Sequence, residues 1–389
     1  MFPMNAMKSW KCGVRRVAVA GAVCAALLLT GCDNFFVKPT SGSGGGGGGT
    51  TTGGNFVYVG NATTKTVSGF LVGSGTLTST PNSPYSIGFT PLAAVVTPSN
   101  SVLYVAGPGA LYAYPIGSDG SLSSVAQAPA VAVANVSSLD VSPDGKWLFG
   151  LDSVNSAVDA WSISNSTTGA LGQQIAAPYS VSGPVVVVRT IRVSPTGTLV
   201  FASLGTGGDQ VFTFDSATGS LASSQHLDTG SATTSDNALA VDSTGARLYI
   251  ARSGTNGGLA VYSIGAAGAL QQISGSPYAT GSQPYDVLID STGKYVYTAN
   301  RTDGTISGFT IGTGGALTAL SGSPFASGTQ VSALARDKSG KYVLAAAIGG
   351  SPDLTMYGFD STVAGKLTKV TTTTTGTDPT GAYLLAATH

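Results

Sequence analysis

Few side chains in this sequence could do chemistry. Arg189, Arg252 and Arg301 could clamp a phosphate or carboxylate, because a guanidinium offers paired donors in a planar fork. Asp236, Asp286 and Asp303 lie near them in sequence, with Asn61, Asn300, Asp152, Asn155 and Asn237 as further polar candidates. The plainer expectation is that the arginines pair with the aspartates as rim ions. Asp236 or Asp286 would serve as a general base if desolvation raised its pKa; an ordinary turn aspartate is the commoner fate. Other chemistries are missing. His226 and His389 are the only histidines, too few for a three-histidine zinc site. No Gly-x-Ser-x-Gly elbow and no calcium loop of alternating acids occurs. No metal or cofactor is expected.

The elements that must position these residues follow from composition. Charged residues are 9% of 389, all 18 acids are Asp, and Gly numbers 55. Surface helices lean on Glu, Lys and Ala, so a mainly helical protein is not expected. No basic stripe exists for nucleic acid. With 42% hydrophobic residues, simple disorder is excluded too. A β-rich, turn-rich, weakly charged protein remains.

The first part of the chain reads as an address. Lys8, Lys11, Arg15 and Arg16 precede the apolar run Val17 to Leu29, too short to span a bilayer but suited to a signal peptide. It ends Leu29-Thr30-Gly31-Cys32, which resembles the lipobox of bacterial lipoproteins. That resemblance implies removal of residues 1–31 and lipidation of Cys32. Attachment to a membrane would then rest on acyl chains, with 14 cations left against 18 acids. Cys12 and Cys24 would be lost with the leader, so no disulfide is expected. Residues 32–54 include six consecutive glycines, Gly44 to Gly49. They read as a flexible tether with a reach of about 25 Å. The protein is expected in the bacterial cell envelope, facing the periplasm or the exterior.

Residues 55–389 repeat seven times. Gly-x-Leu occurs at Gly75, Gly120, Gly169, Gly219, Gly268, Gly315 and Gly365, in steps of 45 to 50 residues. Each is preceded by an alternating strand ending in an aromatic: Phe70, Tyr114, Trp161, Phe214, Tyr262, Phe309 and Phe359. An apolar strand such as Trp147-Leu148-Phe149 recurs in phase, usually after a turn such as Ser142-Pro143-Asp144-Gly145. Each repeat therefore reads as four antiparallel strands, and about 48 residues per such unit is a propeller period. The aromatics read as packing between blades. Ser-Pro-aromatic at Pro84, Pro277 and Pro324 is expected in outer strands, where an unpaired edge tolerates Pro.

The first repeat begins at second-strand sequence, Asn55 to Val59, and the last residues, 379–389, form one strand left over. The expectation is an all-β seven-bladed propeller closed by the C-terminal strand joining the N-terminal blade. The Asp/Gly turns would lie on one face. The loops carrying the candidate polar residues would lie on the other, where propellers usually bind ligands.

These repeats, with Tyr58-Val59-Gly60-Asn61 and Tyr297-Thr298-Ala299-Asn300, resemble the seven-bladed lactonase propellers of the 6-phosphogluconolactonase type and the related Tyr-Val-Thr-Asn repeat propellers. The resemblance covers residues 55–389. Its motifs mark turns and blade packing, so it implies the fold and carries over no catalytic residue. Two functions are weighed. The first is a lipid-anchored binding module of the envelope, presenting loops to a protein, glycan or small lactone. The alternative is a lactone hydrolase acting on a sugar lactone. Export argues against a phosphorylated sugar lactone, which is a cytosolic metabolite.

Overall fold

The computed structural model describes residues 54–123, 128–180, 187–348, 352–375 and 384–389, all within the unit Gly49–His389. The leader, Cys32 and the tether as far as residue 53 lie outside the described residues, as do residues 379–383 of the expected closing strand.

Seven antiparallel sheets follow one another around a ring. Blade five shows the plan: inner strand Ser235–Val241, second strand Arg247–Ser253, third strand Gly258–Ile264 and outer strand Leu270–Gln272, paired in that order. The inner strands of blades two to seven are Ala93–Val96, Val136–Val141, Thr190–Val193, Ser235–Val241, Pro284–Ile289 and Val331–Arg336. Second strands such as Phe56–Asn61, Val102–Gly107 and Trp147–Asp152 are buried at every position, because each face packs on a neighbouring blade. Their unbroken apolar runs follow from that two-sided burial.

The core is divided into seven clusters, one at each junction between blades. At the junction of blades three and four, Phe214 meets Trp147 and Phe149 edge-to-face, with centroids 5.5 and 4.8 Å apart. Such pairs add about 1 kcal/mol to the gain from burial. The expectation that one aromatic per third strand packs between blades is borne out.

The recurrence of Gly-x-Leu has a physical cause. The second-strand tyrosines Tyr58, Tyr104 and Tyr297 donate their hydroxyls to the carbonyls of Gly120, Gly169 and Gly365, each in the next blade, at 2.9, 3.0 and 2.6 Å. These glycines have φ of 80°, 75° and 77°, and a Cβ at Gly169 would come within 2.8 Å of Ala113 and Val102. Only Gly takes that backbone at no steric cost.

The turns between inner and second strands are as expected, with Gly145, Gly197, Gly245, Gly293 and Gly340 at φ of 67° to 71°. The prolines after the outer strands differ from expectation. Tyr85–Ser86 and Phe325–Ala326 pair with the start of their third strands, while Leu77–Ser79 and Leu317–Ala319 pair with its end. Pro84 and Pro324 therefore sit in turns that split an outer strand in two. No ladder bond is asked of them there, so no unpaired edge is needed to tolerate them.

The ring closes as the sequence implies. Leu385–Ala387 pairs antiparallel with Val57–Val59 and supplies the inner strand of blade one. Thr388 strengthens the join: the Phe56 amide donates to its Oγ1 at 2.8 Å, and its own amide donates to the Phe56 carbonyl at 2.9 Å.

Side chains tie successive inner strands around the channel. Ile191 N–H donates to Ser138 Oγ at 3.1 Å and Val193 N–H to Asp140 Oδ2 at 2.8 Å. Thr190 Oγ1 donates to the Asn237 carbonyl at 2.9 Å, Asn237 Nδ2 to the Pro284 carbonyl at 2.8 Å, and Leu334 N–H to Asp286 Oδ2 at 2.6 Å.

Candidate functional site

The inner strand of blade six carries a bulge: Pro284 pairs with Asn300 and Asp286 with Ala299, leaving Tyr285 unpaired. A bulge re-aims a side chain, and here the buried Tyr285 ring collects two arginines. Arg301, in the loop after the second strand of the same blade, stands 4.6 Å from the ring centroid. Arg189, just before the inner strand of blade four, stands 5.7 Å from it, and its Nη1 is 3.4 Å from the tyrosine hydroxyl. Asn237 lies between these strands and bonds both Thr190 and Pro284, the residues next to Arg189 and Tyr285. It fixes their spacing across blade five.

Among the described residues no carboxylate lies within 4 Å of either guanidinium. Arg189 Nε is buried with no hydrogen-bond partner. A buried charged donor left unpaired is costly. The pair is therefore poised for an anion, with the aromatic face offsetting part of the charge.

Beside this mouth runs a polar groove of about 350 Å³ between blades five and six, lined by Ser253, Gly254, Gly258, Thr280, Gln283 and Asp303 among others. Asp303 is exposed at its edge and accepts the Ser282 amide through Oδ2 at 2.6 Å, leaving Oδ1 toward solvent.

The other candidates from the sequence are placed elsewhere. Arg252 and Asp236 bond each other bidentately at 2.6 and 2.8 Å, both buried. Arg252 also approaches the Tyr262 hydroxyl at 3.3 Å. They form an interior ion pair, where rim pairing was the expectation, and Arg252 does not join Arg189 and Arg301. Burial and the adjacent Asp236 carboxylate push Asp209 well above the ordinary carboxylate range.

Asp286 is no turn residue. It is buried, accepts the amides of Val287 and Leu334, and burial raises it to about 7 against the pull of Arg192. It acts as a strut between blades six and seven. Asn61 is buried and bonds Thr66, Ser68 and Thr375. Asn300 bonds Thr305 and Ser307 inside its own hairpin. Asp152 caps the following turn through the amides of Val154 and Asn155.

Sequence reasoning passed over Tyr285 and Arg192. The signal for Tyr285 is a bulge, which leaves no mark in a single sequence. Among the described residues no group of three or more His, Cys or Asp side chains could hold a metal ion, and no helix is long and apolar enough to cross a membrane.

Residues 207–324 match the family model described as "Lactonase, 7-bladed beta-propeller". The stretch spans blade five, most of blade six and the end of blade four, including Arg252, Tyr285, Arg301 and Asp303. The resemblance read from the repeats is borne out by this lactonase match and by the seven blades. Among solved structures, a 6-phosphogluconolactonase candidate from Bacteroides uniformis is 17% identical with a TM-score of 0.69, over 83% of this chain and 97% of that one. A second such candidate, from Bacteroides fragilis, is 19% identical with a TM-score of 0.66, over 85% and 98%. The periplasmic gluconolactonase of Pseudomonas aeruginosa is 17% identical with a TM-score of 0.60, over 86% and 99%. At such identities the likeness speaks for the fold alone. No curated protein matches the chain.

Proposed function

We propose that this protein hydrolyses a sugar lactone at the mouth formed by blades four to six. One observation carries the reading: two arginines without carboxylate partners converge on Tyr285 beside a groove edged by Asp303. Lactone opening needs a stabilised oxyanion and an activated water. Arg189 and Arg301 supply the first and Asp303 the second. Water attacks the carbonyl carbon while Asp303 takes its proton, and the tetrahedral oxyanion rests on the guanidiniums. The ring C–O bond then breaks, and the leaving oxygen takes the proton back from Asp303. A hydroxy acid results, and the enzyme returns to its starting state. The lactonase family match and the gluconolactonase named among similar structures support this substrate class.

The leader and Cys32 support an exported, lipid-anchored protein. The periplasmic setting in the Pseudomonas protein's name accords with an exported enzyme that acts on an unphosphorylated lactone. Replacing Cys32 by Ala should abolish palmitate labelling; labelling that persists overturns the anchor.

A second reading, a module that binds without turnover, has one observation in its favour: Asp303 is the only titratable side chain lining the groove among the described residues. Assay of the purified protein with gluconolactone decides. Hydrolysis above the spontaneous rate, lost on Asp303→Asn, supports the enzyme; binding with only the spontaneous rate overturns it and leaves the module.

A further inference from the structure

A cavity larger than the groove lies away from that mouth. It occupies the channel at the opposite end, toward the inner-to-second-strand turns, with a volume of about 540 Å³, and all seven inner strands contribute to its wall. Pro195, Ser291 and Ser339, which belong to those turns, frame its opening. Cavities of roughly 300–1,000 Å³ suit small ligands.

Arg192 is the cation that the acids of the inner strands act on, Asp140 from blade three and Asp286 from blade six. Arg192, Arg336 and Lys338 line it, with Asp140 and Asp337 as the acids. Both acids are already engaged. Asp140 accepts the amides of Val141 and Val193, at 2.9 and 2.8 Å. Asp337 accepts the amides of Tyr342 and Ser339, at 2.7 and 3.0 Å, and Asn55 Nδ2 at 2.7 Å. Arg192 spends only one donor, Nη1 to the carbonyl of Ile191 at 2.9 Å. Among the described residues no carboxylate lies within 4 Å of it. A half-buried guanidinium with most of its donors unspent, facing a channel that Arg336 also lines, matches a planar oxyanion in geometry.

We propose that this turn-face cavity is a second ligand site, distinct from the Arg189–Tyr285–Arg301 mouth, and that it takes a small carboxylate or phosphate anion on Arg192. The site is set in the ring wall itself. Val193, next to Arg192, is bonded to blade three through Asp140, so the arginine is held by two blades.

The test uses the Arg189→Ala/Arg301→Ala protein, so that the opposite mouth contributes nothing. Calorimetric titration with sodium gluconate, with inorganic phosphate and with uncharged glucose reads the channel. One equivalent of gluconate or of phosphate should bind, and glucose should not; which anion binds tells carboxylate from phosphate. Adding Arg192→Gln should weaken binding at least tenfold, and Arg336→Gln several-fold. Binding unchanged by Arg192→Gln, equal binding of glucose, or no binding of either anion at millimolar concentration overturns the proposal. If Arg192→Gln does not fold, judged by circular dichroism, the exposed Arg336→Gln decides by the same criterion. Gluconolactone hydrolysis by Arg192→Gln in the otherwise unaltered protein should stay within twofold, which separates this site from the proposed activity.

Discussion

The guanidinium of Arg301 stands 4.6 Å from the centre of the Tyr285 ring, and the two come from opposite sides of one bulge. Arg301 is held there by its own backbone, whose amide donates to the Gln283 carbonyl at 2.9 Å. Because Pro284 pairs with Asn300 and Tyr285 with nothing, the ring leans toward the channel mouth, where Arg189 of blade four also reaches it. Three residues from two non-adjacent blades meet because one strand carries an extra residue.

If that meeting is the catalytic mouth, Arg189→Ala and Arg301→Ala should each lower kcat/KM for gluconolactone about 100-fold, the loss usual for one oxyanion donor. Neither arginine bears an ion pair with a described residue, so the urea midpoint should barely move. Turnover unchanged in both variants would remove the pair from the mechanism.

The buried ion pair of blade five should behave asymmetrically. Arg252→Gln leaves Asp236 and Asp209 with no cation and should cost about 3–5 kcal/mol, as for other broken buried pairs. Asp236→Asn should cost less, because it removes the carboxylate that, after burial, raises Asp209 most, and leaves Asp209 to serve as the partner of Arg252. Urea unfolding followed by tryptophan fluorescence gives the order; equal losses would contradict the role given to Asp209.

Asp286 and Asp159 are raised by burial to about 7 and about 6. The folded state therefore prefers both protonated. As pH rises above the ordinary carboxylate value near 3.8, the unfolded chain ionises first and stability falls. The fall ends near pH 6 for Asp159 and near pH 7 for Asp286. Asp286 faces Arg192, and Asp159 faces Asp152 and Gln174. Subtracting the Asp286→Asn curve of urea midpoint against pH from that of the unaltered protein should leave a decline between pH 4 and 7. A flat difference would refute it.

Deleting residues 384–389 removes the inner strand of blade one and the buried Leu384 and Leu385. Two buried leucines lost to a cavity cost about 4 kcal/mol or more. The thermal midpoint should drop by several degrees, and Tyr58 and Phe56 should become accessible to quencher. An unaltered midpoint would mean that the ring does not depend on its latch.

The architecture was legible because it is periodic. Tyr58 reaching Gly120 repeats as Tyr104 reaching Gly169 and Tyr297 reaching Gly365, so one packing rule printed itself on the sequence several times. The site had no such redundancy. Arg252 and Arg301 look alike in sequence, yet Arg252 lies within its second strand and pairs with Asp236, while Arg301 follows its strand and reaches Tyr285. Both inner strands carry the same bulge, which leaves Asn237 unpaired in blade five and Tyr285 in blade six. Asn61 and Asn300, chosen as possible ligand contacts, spend their amide donors mainly on hydroxyls of their own hairpins.

Asn55 bonds the blade-seven turn at Asp337, and His389 bonds the blade-two turn at Asn100. Both extremities of the wheel thus sit on its underside. A bead, a sensor chip or a fused domain joined at either extremity would leave Tyr285 and its arginines uppermost and unobstructed, while crowding the rim around Arg336. Either handle would therefore shield one opening of the channel and leave the other free.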